Sequence, residues 1–462
     1  MTRSEGAALA ASSAEKGALK KLKPGPGLSR DAVAMDQKLR LRAALSALAA
    51  ESGYEAVTVR SLIRRASVST STFYNHYDSV EDCLASIVGV TTQMLVGEMR
   101  AGQQLAADPL CGLRSGLRRL MERVAEEPET AQVVFIEAYG AGPRVRAEFE
   151  AGLTALETLF AEIFRLAPRP VAGTTHLASG VVAGIVGTVR MTARTGRAEE
   201  LPGLSDALTD WMLSVANEEV VAFFLLRSRS VDGGVGGRLP EMGAVSELRE
   251  SVADASRRAI MTTARLAAAN GLSGLTSAKI RKDAGLSRRE FARYFSGVED
   301  CFLDAVESVA TMAASAAETS AAGVTNWERR TYRALSALCL LAAGDRGLSR
   351  LVLLDVTAPG RAGLLRREEM IDRAAARLCD QAPPERRPSE LAAEASISAI
   401  WRIAETEVAA GRAKQLPRLA PVFAYLILAT SRSIEQPLVP ETHETTFAVK
   451  AVSAPTPEVQ AA

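Results

Sequence analysis

The chain has 462 residues, and its 55 Lys+Arg against 54 Asp+Glu leave a formal charge of +1. At roughly 100–200 residues per domain this length allows two to four domains, and near-neutrality means that any nucleic-acid surface must be local rather than global. A composition of 47% hydrophobic and 24% charged residues, rich in Ala, Leu, Arg and Glu, favours helix, and an aromatic share of 5% argues against a β-rich fold.

Residues 1–34 contain Pro24 to Gly27 as PGPG and read as a flexible arm made basic by Lys16, Lys20, Lys21 and Lys23. No apolar run follows these lysines, and the longest apolar stretches, Val133–Ile136 and Val220–Leu226, fall far short of the ~20 residues that span a bilayer. A cytoplasmic protein without a membrane span is therefore expected. Cys83, Cys111, Cys301, Cys339 and Cys379 are scattered without a CxxC, which fits a reducing compartment.

Leu41, Leu45 and Leu48 recur at helical spacing and Gly53 follows, so a first helix ends near Ser52. Thr58 is placed to cap a second helix with Val59, Leu62, Ile63 and Ala66 on one stripe. After Ser67 and Val68, Ser69 caps a third. Phe73 and Tyr77 then turn inward, leaving Ser71, Thr72, Tyr74 and Asn75 outward. Asp78 with Glu81 is the expected cap of a fourth helix.

This pattern occurs twice. The segment from Glu51, ESGYEAVTVRSLIRRASVSTSTFYNHYDSVEDCL, aligns without a gap to the segment from Ala269, ANGLSGLTSAKIRKDAGLSRREFARYFSGVEDCF, so Gly53 matches Gly271, a shift of 218 residues. Thr58/Thr276, Ala66/Ala284, Ser69/Ser287, Phe73/Phe291 and Cys83/Cys301 are identical pairs. In the second copy Ser287 and Glu290 form a capping-box pattern, and Ser296 with Glu299 repeats the fourth-helix cap. The likeness resumes where TGRAEELPGL at Thr195 matches AGRAKQLPRL at Ala410, so the duplication covers whole modules.

Two helices joined by a tight turn, the second presenting polar groups, suit a DNA major groove. From Thr58 to Tyr77 there are three Arg and no acid, and from Thr276 to Phe295 six basic residues and two acids, so positive charge collects on both reading segments of a neutral chain. TVRSLIRRASVSTSTFYNHYDSVEDCL and TSAKIRKDAGLSRREFARYFSGVEDCF resemble the DNA-binding motif of the TetR family. The resemblance implies helix-turn-helix elements at 58–77 and 276–295, with recognition helices Ser69–His76 and Ser287–Tyr294. Thr58, Arg60, Ser69, Thr70, Ser71, Thr72, Tyr74, Asn75 and His76 are then the candidate DNA contacts of the first copy, and Thr276, Ser287, Arg288, Arg289, Arg293 and Tyr294 those of the second. Tyr74 matches a position that commonly contacts phosphate, where the second copy has Ala292. Ser67 replaces the usual turn glycine, which survives as Gly285.

The expected architecture is all-α, with two tandem TetR-like modules. Residues 35–90 and 247–307 would be the DNA-binding segments and 91–226 and 308–432 the helical regulatory regions. The Gly-rich 227–246 would be the linker and 433–462 a disordered tail. The expected partners are double-stranded DNA, a small apolar effector, and either the other module of the same chain or a second copy. Enzyme chemistry finds no support. The GGVGG of Gly233 to Gly237 lacks a preceding strand and a following GK[ST], and the three His, at 76, 176 and 443, lie far apart without metal-ligand spacing, so neither cofactor nor metal is expected. The remaining alternative is a helical sensor or scaffold with a degenerate reading element.

Overall fold

The computed structural model describes residues 29–104, 109–166, 174–215 and 255–431. The linker at 227–246 and the tail after residue 433 lie outside them, as do residues 1–28 of the arm. Among the described residues there are eighteen α-helices and no strand, nine helices up to residue 215 and nine from residue 255. The fold is all-α.

The first nine are α1 (Arg30–Ser52), α2 (Val59–Ala66), α3 (Thr70–Tyr74), α4 (Val80–Gln104), α5 (Pro109–Glu126), α6 (Pro128–Phe135), α7 (Pro143–Leu166), α8 (Thr174–Arg194) and α9 (Leu201–Val215). The second nine follow the same order: α10 (Ala255–Asn270), α11 (Ser277–Ala284), α12 (Arg288–Tyr294), α13 (Val298–Ala321), α14 (Trp327–Gly344), α15 (Arg346–Leu353), α16 (Arg361–Gln381), α17 (Glu390–Ala409) and α18 (Leu416–Leu428). Helix α1 starts at Arg30 on an N-cap from Ser29, so residues 30–34 are helical rather than part of a flexible arm.

The periodic residues pack as their spacing requires. Leu41, Leu45, Leu62 and Phe73 are fully buried, and Ile280, Phe291 and Cys301 line the corresponding core of the second half. The fourth-helix caps differ from expectation by one residue. Asp82 and Asp300 accept from the backbone N–H of Asp78 and Ser296, at 3.0 and 2.9 Å, whereas Glu81 reaches across to the N–H of Arg144 at 3.2 Å. By length and composition α4 is apolar enough to cross a membrane, contrary to the expectation from the longest apolar runs. Its apolar face, including Leu84, Val88, Leu95 and Met99, is instead buried in the core, where α4 packs on α5 and α7.

The two halves meet chiefly through α8 and α17. Small residues let these helices approach: a Cβ added at Gly180 would stand 3.3 Å from Ala399 and Ile403, and one at Gly187 would stand 2.6 Å from the Ser398 hydroxyl. Around the seam, polar groups find partners in the opposite half. Trp211 donates to Ser396 Oγ at 3.0 Å, Tyr425 donates to the Val215 carbonyl at 3.0 Å, and Arg194 and Arg402 pair with Asp372 and Glu150 at 2.7 and 2.8 Å.

Candidate nucleic-acid interface

Helix α2 begins on a reciprocal capping box, in which Thr58 Oγ1 accepts from the Ser61 N–H and Ser61 Oγ accepts from the Thr58 N–H. It ends at Ser67, the only non-glycine with positive φ among the described residues (φ 52°), where Gly285 takes the same conformation in the second half (φ 65°). A left-handed serine is strained, because its Cβ crowds the backbone. The turn is nevertheless required, since it redirects the chain into α3.

Arg40 supports that turn from α1. It is buried, paired with Asp36 at 2.9 Å, and donates to the carbonyls of Ala66 at 2.6 Å and Ser67 at 3.2 Å, which have no partner within α2. In the second half Arg258 donates to the Ala284 carbonyl at 3.3 Å. Sequence reasoning missed both. They stand the same distance before Thr58 and Thr276, so extending the repeat toward the N-terminus would have found them.

Helix α3 is short and N-capped by Ser69, whose hydroxyl accepts from the Thr72 N–H at 3.0 Å. Phe73 and Tyr77 point inward. Ser69, Thr70, Ser71, Tyr74 and Asn75 are exposed, as are Thr58 and Arg60 on the preceding helix and its cap. Thr72 is half-buried, its hydroxyl bonded to Ser69 Oγ at 2.8 Å. His76 is also half-buried and bonds Gln37 Oε1 at 2.8 Å, and burial followed by the nearby Lys38 holds its pKa below the usual histidine value. Arg65, one of the three Arg of this segment, is paired with Glu51 of α1 at 2.7 Å.

In the second half α12 starts on a complete capping box. Ser287 Oγ accepts from the Glu290 N–H, and Glu290 accepts from the Ser287 N–H at 2.7 Å; the Ser287 side chain, followed by its backbone N–H, holds the Glu290 carboxyl below its usual value. Thr276, Ser287, Arg288, Arg289, Arg293 and Tyr294 are all exposed, and the Arg293 guanidinium lies 5.9 Å from the Tyr294 ring centre. Tyr74 and Tyr294, at 55% and 43% exposure, are the large hydrophobic side chains the described surface leaves open, and each stands on the second helix of a helix-turn-helix. An aromatic ring with a hydroxyl tip, held beside unpaired Arg or hydroxyl groups, can contact phosphate and sugar.

Residues 41–87 match the family described as bacterial regulatory proteins, tetR family. This part of the first half is similar to the DNA-binding segment of that family. The match contains the whole helix-turn-helix at 58–77, from the second half of α1 into α4, and the TetR family comprises DNA-binding regulators rather than enzymes. The element at 276–295 lies outside the matched residues. Among solved structures, the chain is similar to the fatty acid degradation regulator FadR from Bacillus halodurans, at 18% identity over 42% of this chain and 97% of that one. The TM-score is 0.36, a likeness too slight to carry a ligand or a geometry across.

Beside the matched segment, a cleft of about 600 Å³ opens between α1, α4 and the start of α7, with Met35, Leu39, Val90, Met94, Gly89 and Glu148 among its lining residues. At the matching positions of the second half stand Glu307, for Gly89, and Arg366, for Glu148, and these form an ion pair at 2.8 Å.

Proposed function

We propose that the chain is a transcriptional repressor with two TetR-type modules, each reading one half of an operator through its own short helix. The observation that carries this reading is the pair of exposed tyrosines. Burying an aromatic ring is worth a few kcal/mol, and leaving Tyr74 and Tyr294 open on two equivalent polar helices is explained if DNA covers them. Candidate contacts are Thr58, Arg60, Ser69 to Thr72 and Tyr74 to His76 in the first module, and Thr276, Ser287 to Arg289, Arg293 and Tyr294 in the second. Because the two faces differ, with hydroxyl and amide groups in one and three Arg in the other, the operator is asymmetric.

The contacts between α8 and α17 support an internal pair, in which one chain does the work of two copies. A small apolar effector releases the DNA, as in the family resemblance, by binding one arrangement of the pair more tightly than the other. Such a regulator acts where the DNA is, in the cytoplasm. Selection of bound sequences from random DNA by the full chain, followed by gel shift of a Tyr74→Ala, Asn75→Ala variant and an Arg288→Ala, Arg289→Ala variant, tests the reading. Each variant should lose affinity for a different half of the selected site, and a chain that selects no sequence overturns it.

A further inference from the structure

Among the described residues, one buried carboxylate touches both the second half and the turn that opens the first helix-turn-helix. Glu137 sits in the short 3-10 turn after α6 and is buried at 3% exposure. Its Oε2 accepts from the backbone N–H of Tyr54 at 2.9 Å, in the turn that joins α1 to α2, and its Oε1, which accepts no hydrogen bond, forms an ion pair at 3.0 Å with the Nε of the half-exposed Arg361, the first residue of α16. The halves are in backbone contact at this point, since a Cβ on Gly360 would stand 2.9 Å from the Gly140 Cα. Helix α16 is also tied to the first half by ion pairs of Glu368 with Arg190 at 3.5 Å and of Asp372 with Arg194 at 2.7 Å. Any shift of α16 along α8 therefore moves the charge that faces Glu137.

Among the described residues the arrangement has no counterpart in the other direction. Asp355 matches Glu137, but its carboxylate is engaged by Arg350 of its own half at 3.3 Å, and Pro143 stands at the position that matches Arg361. A proline has no charge to offer. We infer that Arg361 is a positioning residue for the first reader: through Glu137 it fixes the α1–α2 turn, so that the state of the second half sets the DNA affinity of the first. This rests on the proposed DNA-reading function. Its chemistry does not, because the Glu137 carboxylate is buried and requires a countercharge whatever the chain binds.

The test uses the full chain. Arg361→Ala should weaken binding to the half-site read by Tyr74 and Asn75 by about tenfold, within the range usual for coupling between sites, and leave the other half-site unchanged. Arg361→Lys should restore most of the loss, which a packing role would not predict. Glu137→Gln keeps an acceptor for the Tyr54 N–H but removes the charge; it should weaken binding in the same direction, and combining it with Arg361→Ala should add little. Hydrogen exchange at the Tyr54 amide should quicken in Arg361→Ala without DNA present. Unchanged exchange and unchanged half-site affinity in Arg361→Ala overturn the inference. A wild-type chain that binds no DNA removes the function alone, because the exchange measurement still decides the linkage.

Discussion

The guanidinium of Arg40 donates to the carbonyl of Ala66 at 2.6 Å, so a side chain of α1 closes the end of the first helix of the reader. Hydrogen bonds from a charged donor to buried acceptors are worth roughly 1.5–3 kcal/mol. Arg40→Ala should therefore cost about 2 kcal/mol in urea denaturation and lower DNA affinity as the turn at Ser67 loosens. A loss within error of zero means that water replaces the bond.

Ser67 occupies a left-handed conformation that glycine adopts freely, as Gly285 does in the second half. Relief of the strain outweighs the extra unfolded-state entropy of glycine, so Ser67→Gly should stabilise the chain by about 0.5–1 kcal/mol. Gly285→Ser should destabilise it by a similar amount. Thermal melts of the two variants check the pair, and opposite signs are the expected outcome.

Ser396 accepts the Trp211 N–H at 3.0 Å and donates to the Leu426 carbonyl at 2.9 Å, both within the buried seam between the halves. Ser396→Ala leaves the indole N–H unsatisfied, at about 1–3 kcal/mol. If the internal pair is the working form, this variant should remain one chain by light scattering while its melting temperature falls. A wild-type chain that is a stable dimer of chains protecting a perfect palindrome would contradict the pairing.

Burial, followed by the nearby Asp372 carboxylate, pushes the Glu394 carboxyl up to about 7. Arg194, Glu390 and Glu368 also face it, the first opposing the rise and the other two adding to it. Because the folded value lies above the unfolded one, the stabilisation from this group is complete below about 4.5 and is lost as pH rises through about 7. Discounted for partial exposure, the effect is on the order of 1 kcal/mol. Denaturation of the wild type between about pH 5 and pH 8 should show this fall, and Glu394→Gln should flatten it.

The sequence alone determined the all-α class, the short helix pairs at 58–77 and 276–295 and their caps, because these depend on interactions only a few residues apart. Thr58, Ser69 and Ser287 announce helix starts by their own chemistry, and Phe73 and Tyr77 announce an inward face by their spacing. What local rules left ambiguous was settled by partners distant in the chain. His76 keeps its place among the candidate DNA contacts and also bonds Gln37, and Arg65, one of the three Arg of the first segment, pairs with Glu51. Glu137, Arg361 and the α8–α17 seam were invisible, because an acid beside an alanine or a glycine within a helix carries no local signature. Only tertiary structure brings Glu137 within reach of both Tyr54 and Arg361, 83 residues from the one and more than two hundred from the other, and a buried charge has meaning only once its surroundings exclude water.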